Sequence, residues 1–306
     1  TMSIEKIDRN GIIILYKEQD WTSFDVVAKR RGILGTRKVG HSGTLDPMAT
    51  GVLPLFMGRA TKAVDMQVIK DKEYVATFKL GIKTDSGDIL GTVIEEKPVD
   101  VTDEQVKSAV MSFKGEISQI PPMFSAIKVN GQPLYKLARK GITVDRNRRC
   151  VTIKEIEMLD DGNLPENEYK IRVKCTEGTY IRTLIDDIGE KLGCGGVMTS
   201  LCRTMACGYT AEQAVTISQL QKAREEGTID SLVLSTDTVF MHLPRIDLSK
   251  ELAMRTLNGA ESRISKPDGD YRVYYHDRFF AVSNITDKKL KVIKLFTEKE
   301  KENLDA

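Results

Sequence analysis

Asp46 lies in the run Gly40-His41-Ser42-Gly43-Thr44-Leu45-Asp46-Pro47, where one carboxylate shares a short stretch with an imidazole and two hydroxyls. A fixed carboxylate can act as a nucleophile, exchange a proton, or balance a developing cation. Pro47 removes a backbone donor and biases Asp46 towards extended geometry, while Gly40 and Gly43 permit conformations closed to other residues. The run predicts a shaped loop that presents Asp46. Aspartate before proline is also a common turn former whose oxygens bond nearby backbone, so the run alone leaves a structural role open.

Flanking elements must hold that loop. Thr22 or Ser23 can cap a helix through Val26, Val27 and Arg30 to about Gly35, which leads straight into it. Thr102-Asp103-Glu104-Gln105 has capping-box spacing, and Val106, Ala109, Val110 and Phe113 recur at helical intervals until Gly115. A further helix is predicted from about Tyr180 to Leu192. Strands are predicted over 74–80 and 89–95, around the turn-rich Thr84-Asp85-Ser86-Gly87-Asp88, and over 151–159 and 169–175. The implied class is α+β with a mixed, largely antiparallel central sheet. From about Pro244 short strands separated by turns take over (271–275, 279–283 and 291–296), which divides the chain into a catalytic unit over 1–243 and a small β-rich unit over 244–306. The segment from Thr297 is rich in Lys and Glu and reads as a frayed helix or disorder.

At 306 residues and 41% hydrophobic composition the chain can hold one large and one small domain. Its N-terminus lacks the order of a secretory signal, and the apolar run 12–16 is too short to span a bilayer, so a soluble protein is expected. Thr1 ahead of Met2 reads as the remnant of an added tag. Five cysteines without a C-x-x-C pair, and three histidines far apart in sequence, imply reduced cytoplasmic thiols and no metal centre. The net charge of +2 conceals asymmetry: residues 137–154 hold six basic side chains (Arg139, Lys140, Arg146, Arg148, Arg149, Lys154) against one acid, Asp145. Two more basic groups, Lys29-Arg30-Arg31 and Arg37-Lys38, precede the Asp46 loop. Charge runs commonly mark solvated faces, but basic groups flanking a candidate site suit a phosphate backbone.

Residues 40–55 (GHSGTLDPMATGVLPL), continuing into Gly58-Arg59-Ala60-Thr61-Lys62, resemble the signature of the TruB family of pseudouridine synthases. Three further blocks match in order: Lys72-Glu73-Tyr74-Val75-Ala76 with Leu80-Gly81, then Gln119-Ile120-Pro121-Pro122-Met123-Phe124-Ser125-Ala126-Ile127-Lys128, and Gly178-Thr179-Tyr180-Ile181-Arg182-Thr183-Leu184. Four ordered blocks make a specific signal, covering roughly residues 10–240. The resemblance implies the pseudouridine synthase fold with a PUA-like RNA-binding domain at the C-terminus, and isomerisation of uridine to pseudouridine at position 55 in the T loop of tRNA. It implies no cofactor, because the base is only detached, rotated and rejoined.

The same resemblance distributes roles. Asp46 falls on the catalytic aspartate. Arg182 would stand beside it, lowering its pKa and keeping it ionised; taken alone, Arg182 is an ordinary surface charge on a helix. Tyr74 would stack on the flipped uracil and is a candidate for removing the C5 proton, where a strand tyrosine otherwise means core packing. Tyr180 would support the pocket and Leu201 supply an apolar wall, with plain packing the other reading of both. His41 would occupy the vacated space or contact displaced nucleotides. Arg59, Lys62, Arg139, Lys140, Arg148 and Arg149 are the expected RNA-binding residues, the last four within a clamping insertion over about 125–150. The expected partner is the tRNA T-arm stem-loop, met by a monomer without an obligate protein partner or membrane. Two other readings remain: a guide-RNA-dependent synthase that shares the GHSGTLDP block, and an RNA-binding folding factor with secondary isomerase activity.

Overall fold

The computed structural model describes residues 10–36, 38–160 and 162–297, excepting the side chains of residues 27–31. Thr1, Arg37 and the charged tail after Thr297 therefore lie outside the described residues, as do the side chains of Lys29, Arg30 and Arg31.

The central sheet runs, from edge to edge, Gly11–Lys17, Thr50–Met57, Gly196–Ala206, Lys72–Leu80, Glu168–Cys175, Arg149–Leu159 and Gly115–Gln119, with Val39–His41 and Tyr209–Thr210 attached at its margins. Among the ladders of the described residues in this sheet, the pairing of Thr50–Met57 with Gly196–Ala206 is the parallel one, so the sheet is mixed and largely antiparallel as expected. Gly51 makes that parallel approach possible: its φ is +108°, and a Cβ there would stand 2.2 Å from the Arg203 carbonyl oxygen. Strand Lys72–Leu80 alternates buried and half-buried residues, the pattern of a strand packed chiefly on one face. Phe78 and Ala76 join Val173, Ile171, Ile185 and Ile188 in the core beneath the helix Ile181–Leu192.

The predicted caps form. Thr22 caps Ser23–Leu34 with Asp25 completing a capping box, Gly35 ends that helix in the left-handed region, and Thr102 with Gln105 caps Asp103–Met111. The strand predicted over 89–95 is shorter. Only Val93–Glu96 pairs, while Ile89 and Leu90 stand exposed in the preceding turn, where Leu90 N–H donates to the Asp88 carboxylate instead of a ladder.

A second sheet of Arg245–Asp247, Gly269–Tyr275, Arg278–Thr286, Lys289–Leu295 and Ser262–Arg263 packs with the helix Lys250–Leu257, giving the β-rich C-terminal fold. Val282 and Phe296 from this region share one apolar cluster with Phe240, Ile12 and Ala60. Among the described residues no helix is long and apolar enough to cross a membrane.

Candidate active site

The Asp46 loop is clamped by backbone contacts from three directions. Lys17, fully buried, donates through Nζ to the carbonyls of Pro47 at 3.1 Å and Ala49 at 2.5 Å. Burial pulls the Lys17 ammonium down to about 8, and the Asp46 and Asp20 charges oppose that. The Ser23 hydroxyl accepts from Leu45 N–H at 2.9 Å and donates to the Leu45 carbonyl at 3.3 Å. Thr22 and Ser23 thus divide their labour, one capping the helix and the other fixing the loop. Arg203, also fully buried, donates through Nε to the Val52 carbonyl at 2.8 Å and through Nη2 to the Gly43 carbonyl at 3.2 Å. None of these three restraints was assigned to Lys17, Ser23 or Arg203 from sequence; the one available signal was a lysine closing the apolar strand Gly11–Lys17.

Arg182 meets Asp46 as a fork. Its Nε lies 2.9 Å from Oδ2 and its Nη2 donates to Oδ1 at 3.2 Å. The guanidinium is itself locked, donating from Nη1 to the Ser86 carbonyl at 2.9 Å and from Nη2 to the Phe124 carbonyl at 2.7 Å. Burial pushes the Asp46 carboxyl above the ordinary aspartate range; Arg182 opposes this and Asp88 adds to it. That corrects the sequence expectation of a lowered pKa, because desolvation outweighs the guanidinium. Asp46 nevertheless keeps a third of its side chain exposed, while Arg182 keeps 5%. The pair faces open space.

Two cavities meet at Asp46. The smaller, about 320 Å³, is lined by Tyr74, Tyr180, Leu201 and Lys72 together with Asp46 and Arg182. Tyr74 and Leu201 reach it from neighbouring strands of the sheet, in which Leu201 opposes Ala76 and Arg203 opposes Tyr74. Burial drives the Tyr74 phenol up to about 12, against the opposing effect of Arg203 beside it, so near neutrality it is a protonated, flat aromatic wall. Tyr180 caps the helix Ile181–Leu192 and is anchored through its backbone by both ends of the buried Gln119 amide. The larger cavity, about 740 Å³, is lined by His41, Phe24, Leu90, Asp88, Tyr135 and Arg139 beside Asp46. Among the described residues His41 Nδ1 and Ser125 Oγ, on the lining of these cavities, are buried without hydrogen-bond partners, as is Ser42 Oγ next to His41 in the loop.

The expected basic residues separate into two groups. Arg139 overhangs the larger cavity, its guanidinium 5.6 Å from the Tyr135 ring. Arg149 starts the strand Arg149–Leu159 beside Gly178 on the rim of the smaller one, where a Cβ on Gly178 would lie 3.5 Å from Arg149 Nη1. Lys140 and Arg148 are exposed near them. Arg59 and Lys62 line neither cavity. They sit on the 3-10 segment Gly58–Met66, and Lys62 Nζ donates to the Leu295 carbonyl at 2.9 Å, so this lysine ties that segment to the C-terminal sheet.

This arrangement, a mixed sheet presenting an aspartate–arginine fork under an aromatic wall, is that of a pseudouridine synthase. The chain is similar to solved structures of a Cbf5-Nop10-Gar1 complex (TM-score 0.70, 26% identity, 97% of this chain and 88% of that one). It is also similar to an archaeal box H/ACA sRNP Nop10-Cbf5 complex (TM-score 0.68, 25% identity, 98% and 90% covered).

Within that class the sequence is narrower. Residues 30–181 match the TruB family pseudouridylate synthase N-terminal domain, and residues 182–241 match the tRNA pseudouridylate synthase B C-terminal domain. Two proteins named tRNA pseudouridine synthase B are 40% and 43% identical: that of Francisella philomiragia over 97% of this chain and 98% of its own, and that of Ralstonia pickettii over 87% and 85%. A third, from Clostridium tetani, is 41% identical over 94% of this chain and 99% of its own. The chain belongs to the TruB family.

Proposed function

We propose that this enzyme isomerises uridine to pseudouridine at position 55 in the T loop of tRNA, without a guide RNA or protein partner. The observation that carries the reading is the Asp46–Arg182 fork at the floor of a cavity walled by Tyr74 and Leu201. Identity of about 40% over nearly the whole chain to proteins named tRNA pseudouridine synthase B supports tRNA as the substrate and favours the stand-alone reading.

The reaction cuts the bond from N1 to C1′, turns the uracil, and joins C5 to C1′; the proton leaving C5 balances the one gained at N1. Asp46 supplies the nucleophile or counter-charge next to the severed sugar carbon, and Arg182 holds both carboxylate oxygens against rotation. Tyr74 offers its ring to the extruded base and Leu201 closes the other side, returning part of the unstacking cost of a few kcal/mol. With its phenol protonated, Tyr74 serves first as a stacking surface. Arg139, Lys140, Arg148 and Arg149 lie on residues 124–149, an arch whose Ser125 and Ala126 line both cavities, and in this reading they steer the RNA backbone. His41 stands where displaced neighbours of the uridine would pass.

Purified protein mixed with one unmodified tRNA transcript should form a single pseudouridine in the T loop, mapped by chemical probing. It should do the same with an isolated T-arm stem-loop. Modification only after addition of another RNA or protein would replace this reading with the guide-dependent one.

A further inference from the structure

We propose that Lys72, with Arg203 behind it, seats one phosphodiester of the RNA backbone next to the target nucleotide. The inference rests on the reading that the substrate is RNA.

Alternation along Lys72–Leu80 puts Lys72, Tyr74 and Ala76 on one face, towards the smaller cavity. Glu73 points to the other face, where it accepts from Arg172 at 2.8 Å and from Thr204 at 2.8 Å. Asp71, the other carboxylate adjacent in sequence, accepts from Lys154 at 2.5 Å, and Glu177, whose charge acts on Lys72 from nearby, is paired with Lys70 at 3.2 Å. Asp46 is not a substitute, since Arg182 holds both its oxygens. Lys72 Nζ forms no hydrogen bond or ion pair among the described residues. A second cation converges on the same spot. A Cβ placed on Gly43 would lie 3.2 Å from Lys72 Nζ and 3.7 Å from Arg203 Nη1, and among the described residues that Nη1 is buried without a hydrogen-bond partner, although the Tyr74 phenol lies beside the guanidinium.

Two positive groups meeting at a half-dry rim are unfavourable in isolation, and the Glu177 charge offsets this without reversing it. Burial and the Arg203 charge both depress the Lys72 ammonium pKa, and an incoming anion would relieve both effects. The absent side chain at Gly43, whose φ of +105° suits glycine, leaves the ammonium its space. A nucleotide with its base in the cavity carries its own phosphates to this edge. A monoanionic phosphodiester is therefore the ligand whose charge fits.

The test measures binding of an unmodified T-arm stem-loop to full-length protein carrying Asp46→Asn, which prevents turnover, over a salt series. Lys72→Gln added to this protein should weaken binding about tenfold and lower the log-log salt slope by about 0.7, as expected when one charge-assisted bond to a phosphate of unpaired RNA is removed. Lys72→Arg should restore most of both. A stem-loop with a neutral methylphosphonate on one side of the target uridine should bind the Lys72 protein as weakly as the parent RNA binds the Gln variant. Combining the two changes should cost nothing further. Unchanged affinity and slope in Lys72→Gln, additive losses in the combination, or no effect of methylphosphonate on either side of the uridine would overturn the proposal. The methylphosphonate arm needs no change at Lys72, so a folding defect cannot mimic it. Failure of the unsubstituted enzyme to form pseudouridine in this RNA would instead overturn the functional reading.

Discussion

The floor of the site and the arch above it are built on opposite principles. Around Asp46 the loop backbone is gripped by two fully buried cations and a buried serine, and the Asp46 side chain is gripped by a third buried cation. Over residues 124–149, which form the arch, only Ser125 and Leu134 are buried, and the longest regular element is the five-residue helix Leu134–Ala138. Glycosidic isomerisation needs a carboxylate that does not move, and admission of a folded RNA loop needs a cover that does. Buried hydrogen-bonded charge supplies the first, and under the proposed reading the sparse apolar packing of residues 124–149 would supply the second.

If the floor is the chemical centre, Asp46→Asn should abolish turnover in single-turnover assays while changing RNA affinity by less than about tenfold, because phosphate and stacking interactions dominate binding. Turnover above a few per cent, with deamidation excluded by mass spectrometry, would break the comparison at its base. The unsubstituted enzyme sharpens the point through pH. An active ionised carboxylate with a raised pKa is protonated at higher pH than ordinary aspartate, so the acid limb of single-turnover rate should lie above the usual aspartate range. A limb at or below that range would mean that Arg182, rather than burial, controls the site.

Arg182 links stability to chemistry. Replacing it with methionine leaves Asp46 without its fork and frees the Ser86 and Phe124 carbonyls, so thermal unfolding should show a loss of about 3 kcal/mol together with loss of turnover. Lysine in its place keeps charge but cannot reach all these acceptors at once, and should recover stability more than rate. Equal recovery of both would show that positive charge alone, not the fork, is required.

Tyr74 tests the wall between floor and arch. Tyr74→Phe keeps the ring and removes the phenol, whereas Tyr74→Leu removes the stacking face too. The Phe variant should retain most of its single-turnover rate, and the Leu variant should lose it. Loss in both would return the hydroxyl to the role of proton acceptor.

How far this was legible in the sequence follows the same division. Local chemistry was readable: a cap at Thr22, one of the two candidates, the Thr102 cap, the glycine that ends the first helix, and the strand expected over 74–80, which starts two residues earlier at Lys72, all follow from residue type and spacing. The resemblance brought Asp46, Arg182, Tyr74, Tyr180 and Leu201 to one cavity from segments far apart in the chain. Long-range contacts were not readable. Lys17 reaches Ala49 across 32 positions and Arg203 reaches Gly43 across 160; the apolar strand that Lys17 closes hints at burial but names no partner, and nothing around Arg203 distinguishes a buried clamp from a surface cation. Lys62 shows the converse: its place in the signature block suggested RNA, but its ammonium bonds the C-terminal sheet. The direction of the Asp46 shift failed for a related reason, since desolvation is set by everything packed around a group and not by its one identified partner.

The arch should respond by degrees where the floor responds all or none. Replacing Arg139, Lys140, Arg148 and Arg149 together removes positive charge from its rim and leaves Asp46 and Arg182 unchanged. The log-log salt slope of tRNA binding should fall by about 0.7 to 0.9 for each phosphate that is no longer neutralised, while the rate at saturating RNA stays near that of the unaltered enzyme. Salt separates this from a folding defect, because high ionic strength screens the phosphate interactions of the parent and should narrow its difference from the variant. An unchanged slope would return these four residues to a solvated surface. A fall in the saturated rate with the slope intact would mean that the arch helps to order the floor, and the two regions would then have to be treated as one cooperative site.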